Sequence, residues 1–268
     1  MRGGPPRSPL AGTSRSCAAS QQLINRPEEE RRMTELTAYE ATWLSVLEEL
    51  RGCPDIRLDN GDQAERDLAG DADQVFAELA ERDGIELDPS LKSYHLRFTS
   101  MAAVWDVPDP EYEEESLIAG EFDLLNIHQA VRGGALLARL YDPTPEERQL
   151  YSELRSFDGT GETGVGHLSM LRIQPGVADP ELWFDATTKG YHRMDVDYPG
   201  YLEALRITKG TFGWQFLFTD VSMHDEGQFA VSGRFMEIML DLFPKLFPDH
   251  DYAPLRERLA ERRPGFRA

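Results

Sequence analysis

Residues 158–171, DGTGETGVGHLSML, place four glycines within eight positions and contain the spacing Gly159-x-Gly161-x-x-Gly164. In dinucleotide-binding folds that spacing lies between a strand and a helix, so that the helix N-terminus faces a pyrophosphate. Here the order is reversed. PEERQLYSELRSF before the loop carries Leu150 and Leu154 four apart, as a helix does, and HLSMLRI after it alternates Leu168, Met170 and Ile173, as a strand does. No Lys-Ser/Thr pair of a phosphate loop follows. The glycines therefore read as a connection entering a sheet, and nucleotide binding at this loop is not expected.

The remaining pattern mixes helices and strands. LTAYEATWLSVLEELRG predicts a helix capped by Thr37 and stopped at Gly52, with Trp43, Val46, Leu47 and Leu50 on one stripe. Residues 55–70 are polar and read as loop. DADQVFAELAERDG predicts a second helix ending at Gly84. LDPSLKSYHLRF predicts a third, with Asp88 as cap and Pro89 in its first turn. VPDPEYEEES is an exposed loop, LIAGEFDLLNI a strand, and residues 128–157 two helical pieces broken at DPTP, where Thr144 or Asp142 can cap the second. ELWFDATTKGYHRMDVD reads as a hairpin turning at Lys189-Gly190, and DYPGYLEALRITKG as a helix capped by Asp197. GWQFLFTDV is buried strand or helix, and two C-terminal helices follow, the second rich in arginine.

Residues 1–32 lack apolar periodicity and are rich in Pro, Gly, Ser and Arg, so a disordered leader or an upstream extension is expected before a single domain spanning 33–268. The formal charge of -20 disfavours nucleic acid and anionic membranes as partners and favours a basic protein. No apolar run approaches the roughly 18 residues of a membrane span. The two cysteines form no disulfide framework, so a reduced, cytoplasmic setting is expected.

Chemistry has few candidates. The six histidines, 95, 128, 167, 192, 224 and 250, are scattered with no His-x-x-x-His spacing, so neither metal nor cofactor is expected. MHDEG and PDHDY bunch histidine with carboxylates and read as solvated turns. In HRMDVD a strand would turn Asp195 and Asp197 to one face and His192 to the other, separating a base from its acids. A hydrolase or small-ligand enzyme using the carboxylates and histidines of 185–226 is kept as the alternative to a non-catalytic binding protein. The best interaction candidate is the acidic loop VWDVPDPEYEEES. It offers Asp109, Glu111, Glu113, Glu114 and Glu115 beside the aromatic anchors Trp105 and Tyr112. Trp214, between Gly210 and Gly213, is a second candidate contact.

VFAELAERDGIELDPSLKSYHLRF resembles the opening signature of the SUKH superfamily, the cell-wall-synthesis-regulator-like proteins. Leu79, Gly84, Leu87, Pro89, Leu91, Tyr94 and Phe98 occupy its places. The order of a strand at 121–127, a strand at 168–173, the LWFDATTKGYHRMD hairpin and the GYLEALRITKG helix is also similar, over roughly residues 71–210. The usual Asn-Gly after the second helix is replaced by SMAAVWD, and 128–157 reads as an insertion. The resemblance implies an α+β fold, with a mixed or antiparallel sheet, helices packed against it, a helical insertion and a helical C-terminus. It also implies a non-catalytic protein-binding module. Bacterial members resemble immunity proteins that neutralise toxins, often nucleases, and an acidic chain suits a basic nuclease partner.

Overall fold

The computed structural model describes residues 35–59, 63–65, 70–112, 115–134 and 143–266, with Glu65 in its backbone only. The leader expected over 1–32 lies outside them. The chain divides into two units, Met1–Leu36 and Thr37–Ala268; all elements below belong to the second.

Helix α1, Ala38–Gly52, starts at a capping box in which Thr37 Oγ1 accepts from Glu40 N and the Glu40 carboxylate accepts from Thr37 N. Trp43, Val46, Leu47 and Leu50 are buried, as their spacing predicts. Glu40 has a second task. Arg97 donates to it from Nε at 2.8 Å, Nη2 at 2.6 Å and its own amide at 3.0 Å. Burial alone would raise the Glu40 carboxyl, but these bonds bring it down to about 2.

Strands β1, Arg57–Leu58, and β2, Gln63–Glu65, both pair antiparallel with one edge of β3, Ser100–Pro108. Helix α2, Ala72–Glu78, capped by Asp71, continues as a π turn over Leu79–Asp83 and stops at left-handed Gly84. The expected third helix is a short 3₁₀ turn, Pro89–Tyr94, capped by Asp88. It ends early because Leu96 and Phe98 sit two apart and are buried as extended chain buries them, not as a helix would. The expectation of a loop from Val104 is also corrected. Met101, Ala103, Trp105 and Val107 alternate inward, so the ladder runs to Pro108 before the turn.

On the other edge of β3 runs β4, Ser116–Leu125. Helices α3, Ile127–Arg132, and α4, Pro145–Glu153, follow. Thr144 caps α4, whereas the 135–142 part of the predicted helical pair lies outside the described residues. The helix predicted up to residue 157 ends at Glu153, and β5, Leu154–Gly159, takes over. A second antiparallel ladder then forms in the order β5-β6-β7-β8, with β6 Leu168–Arg172, β7 Glu181–Asp185 and β8 Tyr191–Arg193. Helix α5, Tyr198–Thr208, is capped by Asp197, and GWQFLFTDV contains a buried 3₁₀ turn, Trp214–Phe218. Helices α6, Ala230–Leu246, and α7, Ala253–Arg262, complete an α+β fold. No described helix is long and apolar enough to cross a membrane.

Strands β4 and β5 lie side by side without a backbone ladder between them. Asp158 joins them. The register of β5 slips between Ser156 and Asp158, a bulge that re-aims the side chain. Asp158 Oδ1 accepts from Asp123 N at 3.0 Å and Gly159 N at 2.9 Å, while Oδ2 lies 2.6 Å from the Tyr201 hydroxyl. Tyr201 is in turn 2.6 Å from Ser169 Oγ. A second carboxylate, Glu121 of β4, accepts from Glu162 N at 2.7 Å, Thr163 N at 3.1 Å and the Thr163 hydroxyl. The glycine-rich loop thus folds its N–H groups around an anion, and the anion is the protein's own Glu121. A strand, not a helix, precedes that loop, but no helix follows it. Gly164 and Gly166 take positive φ of 76° and 72°, a conformation that favours glycine.

Trp105 fixes the inner face. Its indole N–H donates to Lys209 O at 2.6 Å, and its ring lies against Gly120. A Cβ at Gly120 would stand 2.5 Å from the indole Cε2 and Cζ2. Gly120→Ala should therefore destabilise the fold by about 1–3 kcal/mol through overpacking. Thermal unfolding would show this as a drop of several degrees; an unchanged melting temperature would mean the indole does not pack over this glycine.

Candidate functional site

The β3–β4 hairpin carries the acidic stretch singled out in the sequence. At its base, Asp106 accepts from Arg57 Nε at 3.1 Å and Nη2 at 2.5 Å, and from Ser116 Oγ at 2.7 Å. Burial tends to raise the Asp106 carboxyl, but Arg57 and Ser116 hold it below its ordinary value. The pairing register slips between Val107 and Pro108, where the strands part. Asp109 then orders the tip. Its amide donates to Glu115 O at 2.9 Å, and its Oδ1 accepts from Glu111 N at 2.8 Å and Tyr112 N at 3.3 Å. Such an Asx-type turn fixes backbone that a run of glutamates would otherwise leave to solvent.

The tip offers Tyr112, 60% exposed, between the exposed Glu111 and Glu115. Glu113 and Glu114 lie outside the described residues. Asp109, Glu111 and Glu115 make no ion pair among the described residues, whereas several acids near the last helix do. Arg258 and Arg262 of α7 both hold Asp195, at 2.6 and 3.3 Å. Arg263 holds Asp225 and Glu237, and Arg256 reaches Asp241. The basic last helix is therefore a clamp on the domain's own carboxylates, and the acids of the hairpin tip lie outside its reach.

The two tryptophans expected in the contact surface are interior residues. Trp105 is 2% exposed and Trp214 0%. Period-two alternation places Trp105 on the inner face of β3, four residues before Asp109. Gly213 does not open the surroundings of Trp214, because Ser232 of α6 stands 2.8 Å from where its Cβ would be. Tyr201 and Phe218 pack against the Trp214 ring.

Several carboxylates and histidines of 185–226 have separate structural tasks. Asp185 accepts from Thr187 N, Asp195 is held by α7, and Asp197 caps α5. His192 packs edge-on against Phe216 and Phe229, while His224 is exposed. His167 is pushed down to about 4 by burial and by the charge of Lys189. His250, in PDHDY, is buried: its Nε2 lies 2.9 Å from Glu49 Oε2, which also accepts from Lys209 Nζ at 2.5 Å. That cluster ties α1 to the end of α5. Among the described residues no group of three His, Cys, Asp or Glu could hold a metal ion.

Glu121 and Asp158, buried carboxylates that each accept two backbone N–H groups, were not candidates in the sequence. Their signal was the broken alternation of LIAGEFDLLNI and an acid beside Phe157. Comparisons with protein-family models, with curated proteins and with solved structures find no match.

The two aromatic positions make opposite predictions. Trp105→Ala should cost about 3–5 kcal/mol, as a core truncation does, and lower the melting temperature strongly. Tyr112→Ala should stay within about 0.5 kcal/mol of the parent. Equal melting temperatures for the two variants would contradict the placement of Trp105 in the core.

Proposed function

We propose that this chain is a non-catalytic, acidic protein-binding module of the immunity-protein kind, acting in the cytoplasm, whose partner is a basic protein such as a nuclease toxin domain. The observation that carries the reading is the hairpin tip: an exposed tyrosine among carboxylates without ion-pair partners among the described residues, on an ordered turn. An aromatic side chain supplies contact area at low entropic cost, and the surrounding charge steers a basic partner. The resemblance of residues 71–210 to SUKH proteins, and the net charge of -20, support the same reading. A chain that presents carboxylates where a nucleic acid presents phosphates competes for the same basic surface. Nucleic acid is then a rival for the partner, not a ligand of this chain.

The test begins with a pull-down from the native host using the whole chain, followed by binding kinetics with the captured partner. Rim charges act mainly on association, and salt screens them beyond about 8 Å at physiological ionic strength. Replacing Glu111, Glu113, Glu114 and Glu115 together by Gln should slow association and flatten its salt dependence without lowering the melting temperature. Tyr112→Ala should speed dissociation instead. Unchanged kinetics in the quadruple variant would remove the hairpin from the binding surface.

A further inference from the structure

The outer face of the β5–β8 ladder carries a second feature, unrelated to the acidic hairpin. There Leu168 and Met170 of β6 stand opposite Asp185 and Trp183 of β7. Helix α4 packs on this face through Leu150 and Tyr151, in a small cluster separate from the main core. It covers the face only in part. Between α4 and the β7–β8 turn lies a cavity of about 660 Å³, within the range of small-molecule pockets. Leu150, Tyr151, Trp183 and Tyr191 wall it, and Glu147 and Thr187 stand at its rim.

Three aromatic rings thus face one cavity. Tyr151 and Tyr191 lie 4.7 Å apart between centroids, tilted by 46°. The indole N–H of Trp183 donates to Glu181 at 3.3 Å, which fixes the plane of the ring. Among the described residues, the one charged side chain in the lining is the carboxylate of Glu147. Asp185, on the same face, is 1% exposed. Burial, then the negative charges of Glu147 and Asp185, push the Tyr151 phenol above its ordinary value, so both carboxylates act on this wall.

The rim is also strained. Thr187 holds φ of 58°, a left-handed conformation that a β-branched residue rarely adopts. It is kept there by its amide, which donates to Asp185 Oδ1 at 2.8 Å, and by its hydroxyl, which donates to Ala186 O at 2.6 Å. Strain of this type persists where the surroundings impose it, and it concentrates at ligand sites.

The electrostatics select the occupant. An anion would meet the Glu147 carboxylate and three aromatic rings, with the charge of buried Asp185 close by. A neutral apolar group would gain only contact. A cation is attracted by each ring face and by Glu147, and desolvation inside the cavity strengthens both attractions. We propose that this cavity binds a small organic cation, an alkylated ammonium seated among Trp183, Tyr151 and Tyr191 and faced by Glu147.

Tetramethylammonium chloride is the probe, titrated into the full chain by calorimetry at constant ionic strength, with neopentyl alcohol as a neutral group of similar shape. The cation should saturate with a dissociation constant of order millimolar. The alcohol should bind at least about tenfold more weakly. Glu147→Gln keeps an acceptor for the capping box of α4 and removes only the charge. It should weaken the cation several-fold and leave the alcohol unchanged. Trp183→Leu keeps apolar bulk and should abolish the preference for the cation. Equal binding of the two probes, failure of the cation to saturate, or parent-like cation binding in both variants would each overturn the proposal.

Discussion

One buried carboxylate sets the architecture. Two antiparallel ladders meet at β4 and β5, and a sheet edge facing another element must satisfy its backbone groups. The bulge in β5 lets Asp158 do this from a side chain, taking the amides of Asp123 and Gly159 on one oxygen. The other oxygen reaches Tyr201 of α5, so the same residue fixes the helix that covers the seam. The chain from Asp158 through Tyr201 to Ser169 can run in either direction. An ionised Asp158 accepts from Tyr201, which accepts from Ser169; a protonated Asp158 donates to Tyr201, which donates to Ser169. The carboxyl and the phenol stay hydrogen-bonded in both forms, which is how a carboxyl can be held at 3% exposure. Burial raises it to about 7 against the pull of its hydrogen bonds.

The same economy governs the rest of the charge. Acids that face the interior are used to hold backbone or cations: Glu121 closes the glycine loop, Glu40 binds Arg97, and Glu49 gathers Lys209 and His250. Arginines of α7 are consumed by Asp195, and Arg263 just after it by Asp225 and Glu237. What remains for a partner is negative, and on the β3–β4 hairpin it surrounds an exposed tyrosine. The outer cavity beside α4 carries the same sign in a drier setting. On the proposed reading both surfaces favour cationic partners, one macromolecular in scale and the other small.

Local chemistry was legible wherever a residue acts on its own backbone. Thr37, Asp88, Thr144 and Asp197 are caps in sequence and in structure, and the β7–β8 hairpin forms as expected, through a turn over Ala186–Gly190 that is longer than the predicted Lys189-Gly190. Misreadings came where tertiary contacts decide. Leu150 and Leu154 are four apart, but Leu154 begins a strand because it packs with Met170. The proline-rich, acidic run after Val107 masked a strand whose inward residues alternate through Met101, Ala103, Trp105 and Val107. Of the expected contact surface, Asp109, Glu111, Tyr112 and Glu115 form the hairpin tip, while Trp105 and Trp214 were drawn into the core. The buried acids were invisible because their partners, Tyr201 and the loop amides, lie about 40 residues away in the chain.

The seam is tested most directly by unfolding free energy against pH for the parent and Asp158→Asn. The native state keeps the Asp158 proton up to pH about 7, whereas the unfolded chain loses it near the ordinary carboxylate value of about 4. Across that window the native state binds more protons, so its stability falls as pH rises, by up to about 4 kcal/mol from this group. The parent should therefore lose stability relative to the variant between pH 4 and 7, and the difference should level off above 7. Parallel curves across the window would show that Asp158 is not the buried carboxyl that joins the two ladders.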